Sequence, residues 1–459
     1  MSYTPTPSTQ RSLLRHLGLK ALAITTVGAA IALLDATGAS AATTALPHTA
    51  TPIVTPTIPQ VTVNFAGEPY FDHTQYIIGV KEGFFSNVGI TLAPNGTGII
   101  APNDQDDPIF ASGRVQVMSA SAQLFMPAVN TLPKFKLFAV ADLFQGYAIL
   151  GRPHHGLKSY AQFRAQGLSP RAAIVATMSQ MKGQRFGYPA EAAIKGFIDL
   201  AFSDAGMTLA QVHSVVAPDP ETTALMESGR IDFQVGGVPS HLTLQEAGFV
   251  PILTSGDLAS AAQPSPTSTA LQAVFNDGWV APDSWLKGHM DTALRMLSVD
   301  WRINQFIHDH PQAASAIQTP FLNSVAGTKF TNDLAPRVVY RDLDPFLTFA
   351  QQKAIFQDPR NPFEVQYLIG SAIQLYVHNG TYKPGEYTWR DFTDADQLYA
   401  AMVQYQRQTQ VDLAKAAVRM RSLSGAEART VSSLISRAKQ LYADLDFFDA
   451  ARFAGAAAA

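Results

Sequence analysis

Between Gly183 and Pro239, short apolar runs alternate with segments of helical period. Gly183-Gln-Arg-Phe-Gly-Tyr-Pro189 reads as a strand closed by a proline turn, with a helix over roughly 191–205 and a strand over 212–216 after it. A helix ending at Glu227-Ser-Gly-Arg230 then leads into a third strand, Ile231-Asp-Phe-Gln-Val235. Such alternation predicts βαβ units on a largely parallel sheet. Val61–Ala66, a helix reaching Gly83, and Gly113-Arg-Val-Gln-Val-Met118 repeat the pattern. Two such units predict an α/β protein of two lobes with a cleft between them. Open α/β sheets hold ligands at the carboxyl ends of their strands.

Tyr147–Gly151 and Leu271–Phe275 read as strands that leave the first lobe and return to it. Lobe one is therefore expected over 61–146 and 270–390, and lobe two over 147–256. Ser260-Ala-Ala-Gln-Pro-Ser-Pro-Thr267 is expected to be a surface loop. Beyond 283 helical spacing dominates, most clearly in Trp285–Ile307 and Pro362–Val377. Residues 391–459 read as a helical C-terminal extension that pads lobe one or forms a dimer surface. Ser424-Gly-Ala-Glu427 has capping-box spacing and is expected to open its last helix. The terminal alanines are expected to fray.

The N-terminal end changes the picture from a generic α/β protein to an exported one. Arg11, Arg15 and Lys20 precede an apolar core, Ala21–Leu34, and the small residues Ala39-Ser-Ala41. That order predicts a signal peptide, 1–41, cleaved near Ala41. A spanning helix needs about 20 apolar residues, and Thr25, Thr26 and Gly28 dilute this run. Thr43–Gln60 holds four prolines and six threonines, so 42–60 reads as a flexible linker. The chain has no cysteine, which excludes a lipid-anchored form, a disulfide scaffold and a thiolate metal site. The full chain carries a net charge of −3; without Arg11, Arg15, Lys20 and Asp35, 30 Lys+Arg face 35 Asp+Glu. Mild acidity with no basic cluster argues against nucleic acid or an anionic membrane as partner.

Lys81-Glu-Gly-Phe-Phe-Ser-Asn-Val-Gly-Ile-Thr-Leu92 resembles a signature of the solute-binding proteins that serve ABC importers, in the group for nitrate, sulfonates, taurine and thiamine precursors. Phe110-Ala-Ser-Gly-Arg-Val-Gln-Val-Met-Ser-Ala-Ser121, Met181-Lys-Gly-Gln-Arg-Phe-Gly-Tyr188 and Met226-Glu-Ser-Gly-Arg-Ile-Asp232 resemble its later elements in order. The resemblance covers roughly 61–315. It implies a two-lobed periplasmic-binding-protein-like fold (type II), with the helical extension as a departure. It also implies a small-molecule ligand, permease and ATPase partners, peripheral contact with a membrane complex, and hinge closure at two crossovers.

In that family the loops after the strands line the cleft. Here they offer Glu68, Tyr70, Phe71 and His73 after the first strand, and Ser119 and Ser121 after the next. Tyr188, Glu191 and Gly237 stand at the matching places in lobe two, with Gln145 and Asn276 near the crossovers. Tyr70 and Phe71 either sandwich a planar ligand or pack under the helix they start. Glu68 or Asp72 could hold a positive ring nitrogen, or the acids point to solvent. Acid and aromatics with no Arg or Lys in the first loop favour a neutral or cationic heterocycle over an oxyanion. His73 reads as a polar residue of a helix start. His154-His155 and His308-Asp-His310 diverge in strand and helix and read as surface histidines, so no metal and no cofactor is expected. No phosphate-binding loop and no nucleophile elbow occurs. The alternative to a binding protein is an enzyme on the same fold acting without cysteine chemistry.

Overall fold

A computed structural model describes residues 53–101, 105–153, 156–261, 271–272 and 274–459. The leader, most of the linker, His154-His155 and most of the loop expected at Ser260–Thr267 lie outside the described residues.

The chain opens with β1 (Val61–Gly67), β2 (Ile90–Ala93), the short β3 (Ile99–Ile100), β4 (Val117–Ser121) and β5 (Phe135–Phe144). It then forms β6 (Ala148–Gly151), β7 (Arg185–Tyr188), β8 (His213–Val216), β9 (Phe233–Gly236) and β10 (Val250–Thr254), and returns as β11 (Phe275–Pro282). Two sheets result. The first runs β2-β1-β4-β11-β5 with β3 beside β1; the second runs β10-β6-β9-β7-β8. β1 is parallel to β2 and β4, and β7 is parallel to β8 and β9. β6 and β11 run antiparallel to their neighbours. β4 and β9 are buried along their whole length, as strands covered on both faces must be.

The returning strand lies later than the Leu271–Phe275 expected from the apolar run: Leu271 and Gln272 form a tight turn and β11 begins at Phe275. Its sequence, Phe-Asn-Asp-Gly-Trp-Val-Ala-Pro, hides a central strand behind polar residues. Gly278 is required there, because a Cβ would lie 2.1 Å from the Ala139 carbonyl oxygen.

Helices Met290–Asp309 and Pro311–Ala326 cover the first sheet. Ala395–Arg419, Gly425–Ala443 and Phe447–Ala458 form the C-terminal helical region. Its last helix is not frayed: Ala450, Ala454 and Ala457 are buried against Val431, Leu434 and Leu441. Alanine lets helix backbones approach closely, so the apolar terminus becomes core. The capping box does not form. Ser424 makes no side-chain cap bond, and Glu427 instead accepts from Arg419 at 3.2 Å. Residues 53–60, expected as flexible linker, form neither helix nor strand, with Ile53 and Ile58 packed on the same cluster. Arg452 donates to the Thr57 carbonyl at 3.2 Å and so ties this segment to the last helix.

Candidate functional site

The site begins where β1 ends. Glu68 and Pro69 turn the chain, Tyr70 is extended, and Phe71–Thr74 is a single helical turn with all four side chains buried. Gln318, from helix Pro311–Ala326, holds this turn from behind, donating to the Phe71 carbonyl and, at 3.1 Å, to Thr74 Oγ1. The turn therefore cannot rotate its polar side chains into water.

His73 is the centre of the arrangement. Its Nδ1 lies 2.5 Å from Glu68 Oε2. Its Nε2 faces Asp277 Oδ1 at 3.3 Å and Asp72 Oδ2 at 3.6 Å. Asp277 comes from β11, where it opposes Ser121 of β4 and Asp142 of β5. Asp142 and Asp344 are fully buried, and none of their four carboxylate oxygens has a partner among the described residues. Burial alone would lower the His73 pKa, but the facing charges of Asp72 and Glu68, with hydrogen bonds that the ring donates to Asp277 and Glu68, hold it well above its ordinary value. Burial would raise Glu68, and the charge of His73 with hydrogen bonds from Asp106 and His73 brings it below its ordinary value. Burial, then the neighbouring acids, push Asp72 up to about 7 and Asp106 up to about 12. Asp142 and Asp344 are raised well above their ordinary value by burial and by nearby carboxylates. The cluster thus holds six carboxyls, from Glu68, Asp72, Asp106, Asp142, Asp277 and Asp344, around one imidazole.

The second lobe closes over this cluster. Glu191 stands at the start of helix Ala192–Asp204 without capping it. Its carboxylate instead accepts from Tyr70 at 3.1 Å and Tyr147 at 3.3 Å. Burial, followed by the charges of Glu68 and Asp219, pushes it up to about 8. Gly237 donates its N–H to Asp219 Oδ2 at 2.9 Å. A Cβ on Gly237 would meet the Tyr70 ring at 2.7 Å, so glycine is what lets the lobes come this close. Between them lies a small cavity of about 20 Å³. Tyr70, Phe144, Tyr147 and Phe275 supply its rings and Asp72, Asp277 and Glu191 its acids; among the described residues no lysine or arginine lines it. Phe144 meets Tyr147 edge-on at 4.6 Å, and Tyr147 meets Phe275 edge-on at 5.7 Å.

Of the residues singled out in the sequence, the structure brings together Tyr70, His73, Ser121, Glu191 and Gly237 around the cavity. Ser121 also caps the turn after β4, accepting from the Leu124 N–H at 3.3 Å. Glu68 sits behind His73. Phe71 is in the core, stacked on Phe330 at 6.0 Å, and Tyr188 packs on Phe186 at 5.3 Å. Ser119 is buried inside β4, not in a loop. Gln145 pins the crossover through its backbone N–H, 2.7 Å from the Leu343 carbonyl. Asn276 is fully buried with its amide unpartnered, while its strand neighbours Phe275 and Asp277 line the cavity. Alternation along a strand decides that difference. Asp72 and Glu191 do not point to solvent. Asp277, Phe144, Tyr147 and Phe275 escaped the sequence reading, although Phe144 and Tyr147 flank Gln145. The pair His308-Asp-His310 is peripheral, with His308 exposed and 2.9 Å from Asp309.

No family model matches the sequence, and no curated protein matches it. Solved structures do. The chain is similar to the putative periplasmic sulfonate-binding protein SsuA of Methylobacillus flagellatus, at 12% identity and a TM-score of 0.51, over 74% of this chain and 93% of that one. The nitrate-binding protein NrtA of Synechocystis matches at 12% identity and a TM-score of 0.49, over 74% and 88% of the two chains. The desulfurization enzyme DSZB matches at 13% identity and a TM-score of 0.44, over 73% and 95%. The chain has the two-lobed fold of the periplasmic solute-binding proteins, with a helical C-terminal region added.

Proposed function

We propose that this protein is the substrate-binding component of an ABC import system. On this reading it is a periplasmic receptor that closes two lobes on a small neutral or cationic heterocycle and delivers it to a permease driven by an ATPase. The cavity between the lobes carries the reading, because its lining combines acids and aromatic rings and, among the described residues, contains no lysine or arginine. Aromatic faces attract planar and cationic groups, whereas an oxyanion there would confront Asp72, Asp277 and Glu191 with no cation beyond His73. The fold supports the same role, since a hinge at the two crossovers lets a ligand stabilise the closed form by its differential affinity. The leader-like N-terminal sequence supports export. Among the described residues no helix is long and apolar enough to cross a membrane.

A thermal-shift screen tests the reading. Pyrimidines, thiazoles and their cationic derivatives are expected to stabilise the protein, by about 2.7 kcal/mol at one hundred times Kd; nitrate, taurine and alkanesulfonates are expected to do nothing. Stabilisation by the oxyanions alone would overturn the charge preference and leave a receptor. Gly237→Ala sharpens the test: it is expected to fold normally and to bind the same ligand more weakly, because its methyl group holds Tyr70 away. A protein that carries no ligand from its own host by native mass spectrometry, and that no compound stabilises, is not a receptor of this kind.

A further inference from the structure

We propose that the floor of the cleft is a binding site for a divalent first-row transition metal, with His73 Nε2, Asp72 and Asp277 as its protein ligands. The three side chains are buried, and their donor atoms all lie within 4.8 Å of one another. Two of the donor spacings match those around a bound metal. Bonds of about 2.0–2.1 Å to tetrahedral zinc place neighbouring donors roughly 3.3 Å apart. His73 Nε2 lies 3.3 Å from Asp277 Oδ1 and 3.6 Å from Asp72 Oδ2.

Two further observations point the same way. A metal-bound imidazole ordinarily has its other nitrogen against a carboxylate, which fixes the ring and its basicity. His73 Nδ1 has Glu68 Oε2 at 2.5 Å. Asp142 is the cross-strand partner of Asp277 and is fully buried, with both oxygens unpartnered, and Asp72 Oδ1 is unpartnered too. Buried carboxylate oxygens normally have partners; a dication between Asp72, Asp277 and His73 supplies the missing positive charge to the whole group. One imidazole with carboxylates suits zinc, manganese or iron(II), whereas calcium prefers six to eight oxygens.

Three protein ligands leave coordination positions open, and the ring-lined cavity adjoins all three residues. Resting on the receptor reading above, this narrows the solute class to a neutral heterocycle with a ring nitrogen or carbonyl donor, because a bound dication repels an organic cation. Glu68 is a positioning residue, acting through His73.

The test uses the full mature chain, stripped with EDTA and dialysed against ZnCl2 or MnCl2, with CaCl2 as control. One zinc or manganese per chain is expected, with a higher melting temperature and no response to calcium. Asp72→Asn and Asp277→Asn are expected to remove the bound metal and the thermal response while keeping the wild-type circular dichroism. Glu68→Gln is expected to weaken zinc binding by about 10–100-fold. Wild-type protein that takes up no metal, or uptake unchanged in Asp72→Asn and Asp277→Asn, overturns the site. Stabilisation by a heterocycle in metal-free protein, undiminished by EDTA, overturns the metal while sparing the receptor. Metal uptake in a protein that no solute stabilises keeps the site and removes the receptor.

Discussion

The protein buries acids in two regions and treats them in opposite ways. In the C-terminal region Asp449 is fully buried, and Arg295 grips it through Nε at 2.7 Å and a terminal nitrogen at 3.2 Å. Arg452 adds a third contact to Asp449, and Phe448 lies under both guanidinium groups. Asp446 beside it caps the last helix, accepting from the Asp449 N–H at 3.1 Å. Behind the residues that line the cavity, Asp142 and Asp344 are equally buried and have no partner among the described residues. A buried acid that only serves structure is paired, because an unpaired charge in a low dielectric costs several kcal/mol. Acids kept without partners beside a cavity are a stability cost that a ligand can offset.

The largest expected effect tests the paired side of this contrast. Arg295→Met leaves Asp449 with Arg452 alone and is expected to cost about 3–5 kcal/mol in denaturant unfolding, with solute affinity unchanged. A loss below about 1 kcal/mol would mean that Arg295 is not what holds the C-terminal helix on lobe one.

Asp142→Asn tests the unpaired side and has the opposite sign. The folded-state pKa of Asp142 is raised by burial, so unfolding releases its proton once the pH exceeds the ordinary carboxylate value. Stability is therefore lost as pH rises, and the amide removes that loss. A gain of about 1–3 kcal/mol is expected, larger at pH 8 than at pH 6. A variant less stable than wild type at both pH values would show that the carboxylate is structural.

Closure itself is expected to depend on pH through Glu191, which Tyr70 and Tyr147 contact, with the charges of Glu68, Asp219 and His73 acting on it. Its pKa is pushed up to about 8 in the closed form, and opening returns it towards about 4.5. The closed form therefore weakens as pH rises through this interval. Small-angle scattering is expected to show a radius of gyration that grows from pH 6 to pH 9 in wild type and stays flat in Glu191→Gln. Growth that persists in the variant would assign the effect to another group. The smallest change is Tyr70→Phe, which removes one inter-lobe hydrogen bond worth about 0.5–1.5 kcal/mol. Fluorescence energy transfer between labels on the two lobes is expected to report a 2- to 10-fold larger open population, and no change would place the lock elsewhere.

Much of this molecule is legible in its sequence. Apolar periodicity locates β1, β4, β7, β8 and β9 to within a few residues, because short buried strands and amphipathic helices each impose their own spacing. The chemistry after β1 is legible as well, since Glu68, Tyr70, Asp72 and His73 arrive together in one short loop. Tertiary structure alone decided that these acids turn inward, because Gln318, from a helix more than two hundred residues away, clamps the turn that carries them. It also decided the partners of His73. Asp277 sits in a strand that polar residues disguise, and Asp142 and Asp344 reach the cluster from β5 and from a loop beyond Leu343. Local spacing carries no information about contacts between residues so far apart. The same limit explains the C-terminus, where a run of alanines reads as fraying until Val431, Leu434 and Leu441 provide a surface for it to bury.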